Sequence, residues 1–133
     1  MSFAGADVCV LCRHEVRSRT SFHAQMSVLV ERGYSVLSME ELVASARRGQ
    51  PIRSPAVLLT FDGGYRSQLD NALPTLEALK LPATFFPLSA GLDDAEISGR
   101  DLAELAARGL LRGTRFVAGS ILIGWKIRER FLE

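Results

Sequence analysis

The chain has 133 residues, of which 47% are hydrophobic and 23% charged, and 16 Lys and Arg against 15 Asp and Glu leave a formal net charge of +1. This size fits one domain, residues 1–133, with a single core, and the composition excludes disordered and low-complexity architectures. The even charge balance excludes a basic footprint for nucleic acid and a polybasic membrane anchor. Cys9 and Cys12 are too few for a disulfide scaffold, and Met1 to Asp7 contain no basic leader region. The longest apolar run, Phe116 to Trp125, has ten residues, short of the about 20 that a bilayer requires. The expectation is a chain without nucleic-acid or membrane partners and with a cytoplasmic location.

Short apolar runs alternate with amphipathic stretches along the chain. Val8 to Cys12 is compact and rich in β-formers, the pattern of a buried strand. Thr20 is placed to cap a helix whose stripe is Phe22, Met26, Leu29 and Val30, ended by Gly33. Tyr34 to Leu37 forms a second strand pattern. Ser38 and Glu41 form a capping box, each side chain able to satisfy an orphan amide of the other's residue. The helix it opens carries Leu42, Val43 and Ala46 and stops near Gly49 and Pro51.

Ala56 to Phe61 is the clearest strand. Asp62-Gly63-Gly64 then turns the chain, and Leu69, Leu73, Leu76 and Leu79 mark a helical face. Pro74 inside that face requires a kink or a restart in a first turn. Ala83 to Leu88 reads as a fourth strand, and Ser98 to Asp101 as the cap of a helix bearing Leu102, Leu105 and Ala106 up to Gly109. Phe116 to Trp125 reads as a further strand or buried segment. Strand and helix alternate at about 25–30 residues per unit, the pattern of parallel β/α architecture. Four to five such units fit this length, whereas a closed barrel takes about 200 residues or more. The fold expected is α/β, an incomplete β/α barrel with mainly parallel strands.

Ligands of parallel β/α folds gather at the C-terminal ends of strands, and the best strand here runs directly into Asp62. The stretch Leu59-Thr60-Phe61-Asp62-Gly63-Gly64-Tyr65 resembles the first signature of the polysaccharide deacetylases (NodB homology, carbohydrate esterase family 4), usually TFDDGY. Val10 to Val16, with His14, is similar to the family's V-L-x-Y-H-x-V. Phe22 to Leu42 is similar to the segment that leads from there to the signature. Ala72 to Leu76 resembles N-A-L-P-x-L, Pro82 to Phe86 resembles P-A-T-F-F, and Leu102 to Gly109 resembles the helix before the second signature. The resemblance spans about residues 8 to 119.

The resemblance implies a zinc-type hydrolase that removes acetyl groups from carbohydrate, with acetylated amino-sugar polymer as partner. It assigns Asp62 the place of the general base that acts on metal-bound water. The second Asp of the signature and two His of H-[S/T]-x-x-H bind metal in the family. Here Gly63, Arg115 and Gly119 stand at those positions, and the sequence contains no His after His23. Arg115 stays cationic and repels a metal. The expectation is therefore no resident metal, with His14, Tyr65 and Arg115 left at the rim of a former sugar pocket. The chain also ends at Glu133, before the family's later signatures, so it reads as an inactive or truncated homologue. One alternative is an active hydrolase with unusual ligands, using Asp62 and His14 with Asp93, Asp94 or a second subunit. Another is a non-catalytic carbohydrate-binding or interaction module that self-associates through exposed sheet edges.

The remaining candidates have plainer readings. Gly63-Gly64 lacks the surroundings of a phosphate loop and reads as a tight turn with positive φ. Cys9 and Cys12, three apart on a strand, point to opposite faces and read as two buried reduced thiols. His23 reads as exposed in a first helical turn.

Overall fold

The computed structural model describes residues 2–3, 6–86, 100–101 and 115–116. Its elements are strands β1 (Ser2–Phe3) and β2 (Ala6–Arg13), helix α1 (Arg19–Glu31), β3 (Ser35–Leu37), α2 (Met39–Arg48), β4 (Ala56–Asp62), a π-helical turn (Gln68–Ala72), α3 (Leu73–Leu79), β5 (Thr84–Phe86) and β6 (Arg115–Phe116). They form one six-stranded sheet. β2, β3 and β5 all pair with β4 in parallel, β6 pairs with β5 in parallel, and β1 runs antiparallel to β2. The partial β/α architecture with mainly parallel strands is thus present. β5 and β6 extend the sheet beyond the units β2–α1, β3–α2 and β4–α3.

β4 is buried along its whole length, and its alternate residues serve two cores. Val57, Leu59 and Phe61 pack with Phe22 and Met26 of α1 and with Ala72, Leu76 and Phe85. Ala56 and Leu58 pack on the opposite face with Val8, Leu37, Phe86 and the α2 residues Met39 and Leu42. Phe61 stacks on Phe85 with ring centroids 4.6 Å apart and meets Phe22 edge-on at 6.0 Å. Helices on one face and α2 against the other leave β4 no solvent-facing side, which is why its sequence is a continuous apolar run rather than an alternating one.

Local signals set the helix ends. The capping box at Ser38 and Glu41 is formed on both sides, and Gly49 closes α2 in the left-handed conformation at φ 65°. Acidic residues at the start of α2 and Arg47 and Arg48 at its end suit its dipole. The N-cap of α1 is Ser18, whose hydroxyl accepts from the Ser21 amide, so Thr20 lies inside the helix instead of capping it. The Ser18 backbone is extended, as a cap requires, whereas Thr20 is already helical. Pro74 resolves as a restart, with α3 beginning at Leu73 directly after the π-helical turn and Pro74 in its first turn.

β2 corrects one expectation. It is only partly covered: Val8 is buried, but Cys9 and Cys12 are both exposed and neither forms a disulfide. One flank of β2 lies along β4, while its other flank meets only Ser2 and Phe3 among the described residues. The expected strand over Ala83–Leu88 is observed as Thr84–Phe86, and Pro87 and Leu88 lie outside the described residues. Most of the expected helix after Ser98, and the run after Phe116, also lie outside them.

Two substitutions test this arrangement. Phe61→Ala empties the centre of the larger core and lowers the unfolding free energy by about 3–5 kcal/mol, whereas Val30→Ala on the exposed face of α1 changes it by less than about 0.5 kcal/mol. Urea denaturation with an unchanged slope reads both values.

Candidate functional site at the strand ends

The register between β2 and β4 dictates where the polar groups meet. Cys12 is the partner of Thr60 and Arg13 of Phe61, so the next step places His14 beside Asp62. Residues two apart on a strand share a face, so Cys12 and His14 stand on the same side as Thr60 and Asp62. The Cys12 thiol donates to Asp62 Oδ2 at 3.3 Å. One donor atom each from Cys12, His14 and Asp62 falls within 4.8 Å of the others, with Cys12 and His14 exposed and Asp62 buried. Arg13, on the opposite face, hydrogen-bonds to Gln25 of α1.

The strand ends are tied together from the π-helical turn. Asn71 lies four residues after Ser67 and three after Gln68, so its side chain neighbours each of theirs on the helical surface. The Gln68 amide, 1% exposed, uses its Nε2 to donate to the carbonyl oxygens of both His14 (2.8 Å) and Asp62 (2.7 Å). An amide nitrogen carries two hydrogens, one for each acceptor. Ser67 Oγ accepts from the Val16 amide at 3.0 Å, and Asn71 Nδ2 donates to the Val16 carbonyl at 2.6 Å. The loop after β2 is therefore held at both its first and third residues. Sequence reasoning missed all three of these side chains. The signal available was a polar Ser, Gln and Asn at helical spacing within an otherwise leucine-marked face.

Asp62 continues into a turn that favours glycine. Gly63 and Gly64 have φ of 90° and 67°, as expected of a tight turn with positive φ. A Cβ built on Gly63 lies 2.7 Å from Cε2 of the Tyr65 ring. Tyr65 is exposed beside this turn. Behind the turn, Thr60 and Thr84 are fully buried in register with each other, and their hydroxyl oxygens have no hydrogen-bond partner among the described residues. Arg66 pairs with Asp101 at 3.0 Å and Asp70 at 3.4 Å, and Asp101 foremost raises its pKa above the ordinary guanidinium value.

The other sequence candidates scatter. Arg115 lies in β6, in register with Thr84. Gly119, Asp93 and Asp94 lie outside the described residues. His23 is exposed, as expected, with Nδ1 3.3 Å from Thr75 Oγ1, beside a shallow groove between α1 and α3 lined by Arg19, Thr20 and Pro74. Among the described residues no helix is long and apolar enough to cross a membrane.

Residues 49–114 match the family described as polysaccharide deacetylase. Poly-beta-1,6-N-acetyl-D-glucosamine N-deacetylase of Escherichia coli (strain K12) is 37% identical over 76 residues, covering 56% of this chain and 11% of that protein. The solved structure of IcaB from Ammonifex degensii superposes with a TM-score of 0.73 at 26% identity, over 87% of this chain and 53% of its own. A de-N-acetylase from Aggregatibacter actinomycetemcomitans shares the fold at a TM-score of 0.72 and 20% identity, over 84% of this chain and 53% of its own. Residues 49–114 thus match part of a polysaccharide deacetylase domain in sequence, and the fold is that of the solved deacetylases. The chain spans about half the length of these solved relatives.

Gln68→Glu keeps the shape of the clamp but replaces the amide nitrogen that supplies both donors with a carboxyl group that accepts only, or donates once when protonated, and it is expected to lower stability by at least the about 1–3 kcal/mol of one unsatisfied buried polar group. Gln68→Leu loses at least as much. Faster amide hydrogen exchange at Val16 in both variants, with α2 unaffected, checks that the loss is local to the strand ends.

Proposed function

We propose that this chain is a polysaccharide deacetylase homologue that keeps the rim of an acetylated-sugar site and has lost the family's metal-dependent hydrolysis. The observation that carries this reading is Gly63. The family resemblance places a metal-binding carboxylate at that position, and here the residue has no side chain, a φ of 90° and a tyrosine ring in the space a Cβ needs. A side chain at position 63 would therefore meet both a positive φ and the Tyr65 ring. Arg115 and Gly119 supply no neutral donor at the other two positions. The residues at the family's three ligand positions do not fit its metal, and no hydrolytic step is derived through it.

Asp62 and His14 remain together at the strand ends, with Tyr65 beside the same turn. Carboxylate, imidazole and an exposed aromatic ring suit the hydroxyl, amide and ring faces of an amino sugar. The substrate named for the Escherichia coli relative makes β-1,6-linked N-acetylglucosamine the polymer to test.

The purified chain, with zinc in excess, is expected to release no acetate from β-1,6-linked N-acetylglucosamine oligomers above the uncatalysed rate. The same oligomers are expected to show saturation-transfer NMR contacts that weaken in Tyr65→Ala. Catalytic acetate release abolished by Asp62→Asn overturns the reading. The turn itself is tested by Gly63→Ala, expected to destabilise by about 1–3 kcal/mol through its backbone conformation. Adding Tyr65→Ala relieves the steric part alone, so the double variant recovers only some of that loss in a mutant cycle.

A further inference from the structure

We propose that Cys12, His14 and Asp62 form a binding site for a thiophilic divalent cation, zinc foremost, distinct from the donor set at Gly63, Arg115 and Gly119. The three donors differ in kind, thiol, imidazole and carboxylate, and each is a recognised zinc ligand. They arise from two adjacent strand ends whose register puts them on one face. Zinc bonds of about 2.0–2.3 Å at tetrahedral angles set donor separations of about 3.3–3.6 Å for these three donors. The Cys12 sulfur and Asp62 Oδ2 already stand 3.3 Å apart, and every donor pair is within 4.8 Å. The third donor, His14, is on an exposed side chain.

Two further features favour a site over a chance cluster. Gln68 fixes the backbones of His14 and Asp62 through one buried amide, so the chain positions of two of the three ligands are held from behind. Thr60, in register with Cys12, and Thr84 beside it bury hydroxyls that have no hydrogen-bond partner among the described residues. That polar backing, on the same face as the cluster, is not what an apolar core selects. Soft sulfur and imidazole donors favour zinc or cobalt over magnesium or calcium.

Binding displaces the thiol proton that Cys12 now donates to Asp62, releasing it to solvent as sulfur becomes a thiolate ligand. Three protein ligands leave the fourth position to water. The site also takes up the Asp62 carboxylate, the group that the family resemblance assigns to base catalysis, so a cation here does not restore the hydrolysis judged lost above. The inference stands independently of that reading, because it is tested by metal binding without sugar.

The test is native mass spectrometry and calorimetric titration of the full chain, reduced beforehand, with zinc chloride, and with magnesium chloride as control. One zinc per chain is expected, with no magnesium adduct. Cobalt(II) in place of zinc is expected to give a thiolate-to-metal charge-transfer band that disappears in Cys12→Ser. Cys12→Ser, His14→Gln and Asp62→Asn should each weaken zinc by more than the ~100-fold upper range seen for outer-shell losses, whereas Cys9→Ser and His23→Gln leave it unchanged. Cys12 and His14 are exposed, so their variants keep the fold, which circular dichroism verifies. No stoichiometric zinc, or zinc unaffected by Cys12→Ser and His14→Gln, overturns the proposal and leaves the Cys12–Asp62 contact a hydrogen bond only. Acetate release by the zinc-loaded chain would instead count against the function proposed above while leaving the site intact.

Discussion

The in-register parallel pairing of β2 with β4, from Val8 and Ala56 to Arg13 and Phe61, is the constraint on which the molecule rests. Every other described strand of the parallel sheet attaches to β4 or, for β6, to β5. A slip of one residue would exchange the two faces of β2. It would turn Cys12 and the following His14 away from Asp62 and bring Arg13 towards it. The two cores oppose that slip, because Val57, Leu59 and Phe61 fit one and Ala56 and Leu58 the other. Site geometry and core packing are therefore one constraint, and the site inherits its placement from hydrophobic alternation on a strand that has no polar face.

Strand pairing alone does not hold the loop beyond β2, where the ladder ends. That task falls to the π-helical turn, whose polar face reaches residues 14 to 16 through Gln68, Ser67 and Asn71. The wide turn reconciles two demands. Ala72 and Leu76 must keep facing Phe61 and Met26 in the core, while Gln68 and Asn71 must face the strand ends. One extra residue per turn rotates the first set relative to the second, and Pro74 then restarts a regular helix where an N–H is dispensable.

The architecture was legible wherever a local rule determined the outcome. The capping box at Ser38, the continuous apolar run of β4 and the glycine turn after Asp62 each have a single physical solution, and each is found. Errors arose where the answer depended on neighbours far along the chain. Thr20 and Ser18 both carry a capping hydroxyl, and the extended backbone at Ser18 settles which one caps. Cys9 and Cys12 look like buried thiols in an apolar run, but burial depends on what covers β2, which its own residues do not encode. The meeting of Cys12 and His14 with Asp62 is likewise a tertiary fact. It joins residues about fifty positions apart, and composition carries no trace of it.

In the function proposed here, Asp62 and Gly63 belong to a site that changes character while its scaffold stays. The carboxylate persists because it ends a buried strand, and its own backbone carbonyl is bound by Gln68. The following position tolerates glycine because the turn uses positive φ there, and once Tyr65 lies over the empty side, reversal requires moving a ring as well as changing one residue. Among the described residues, the metal-ligating groups clustered with Asp62 are Cys12 and His14. These two demands on Asp62 exclude each other. A carboxylate bound to a cation through the oxygen beside Cys12 is a weaker base, because the cation stabilises its ionised form. A carboxylate kept for proton transfer is not a ligand. The sulfur of Cys12 decides between them, since at 3.3 Å it already interacts with Asp62 and becomes a stronger donor only by losing its proton to make room for a metal.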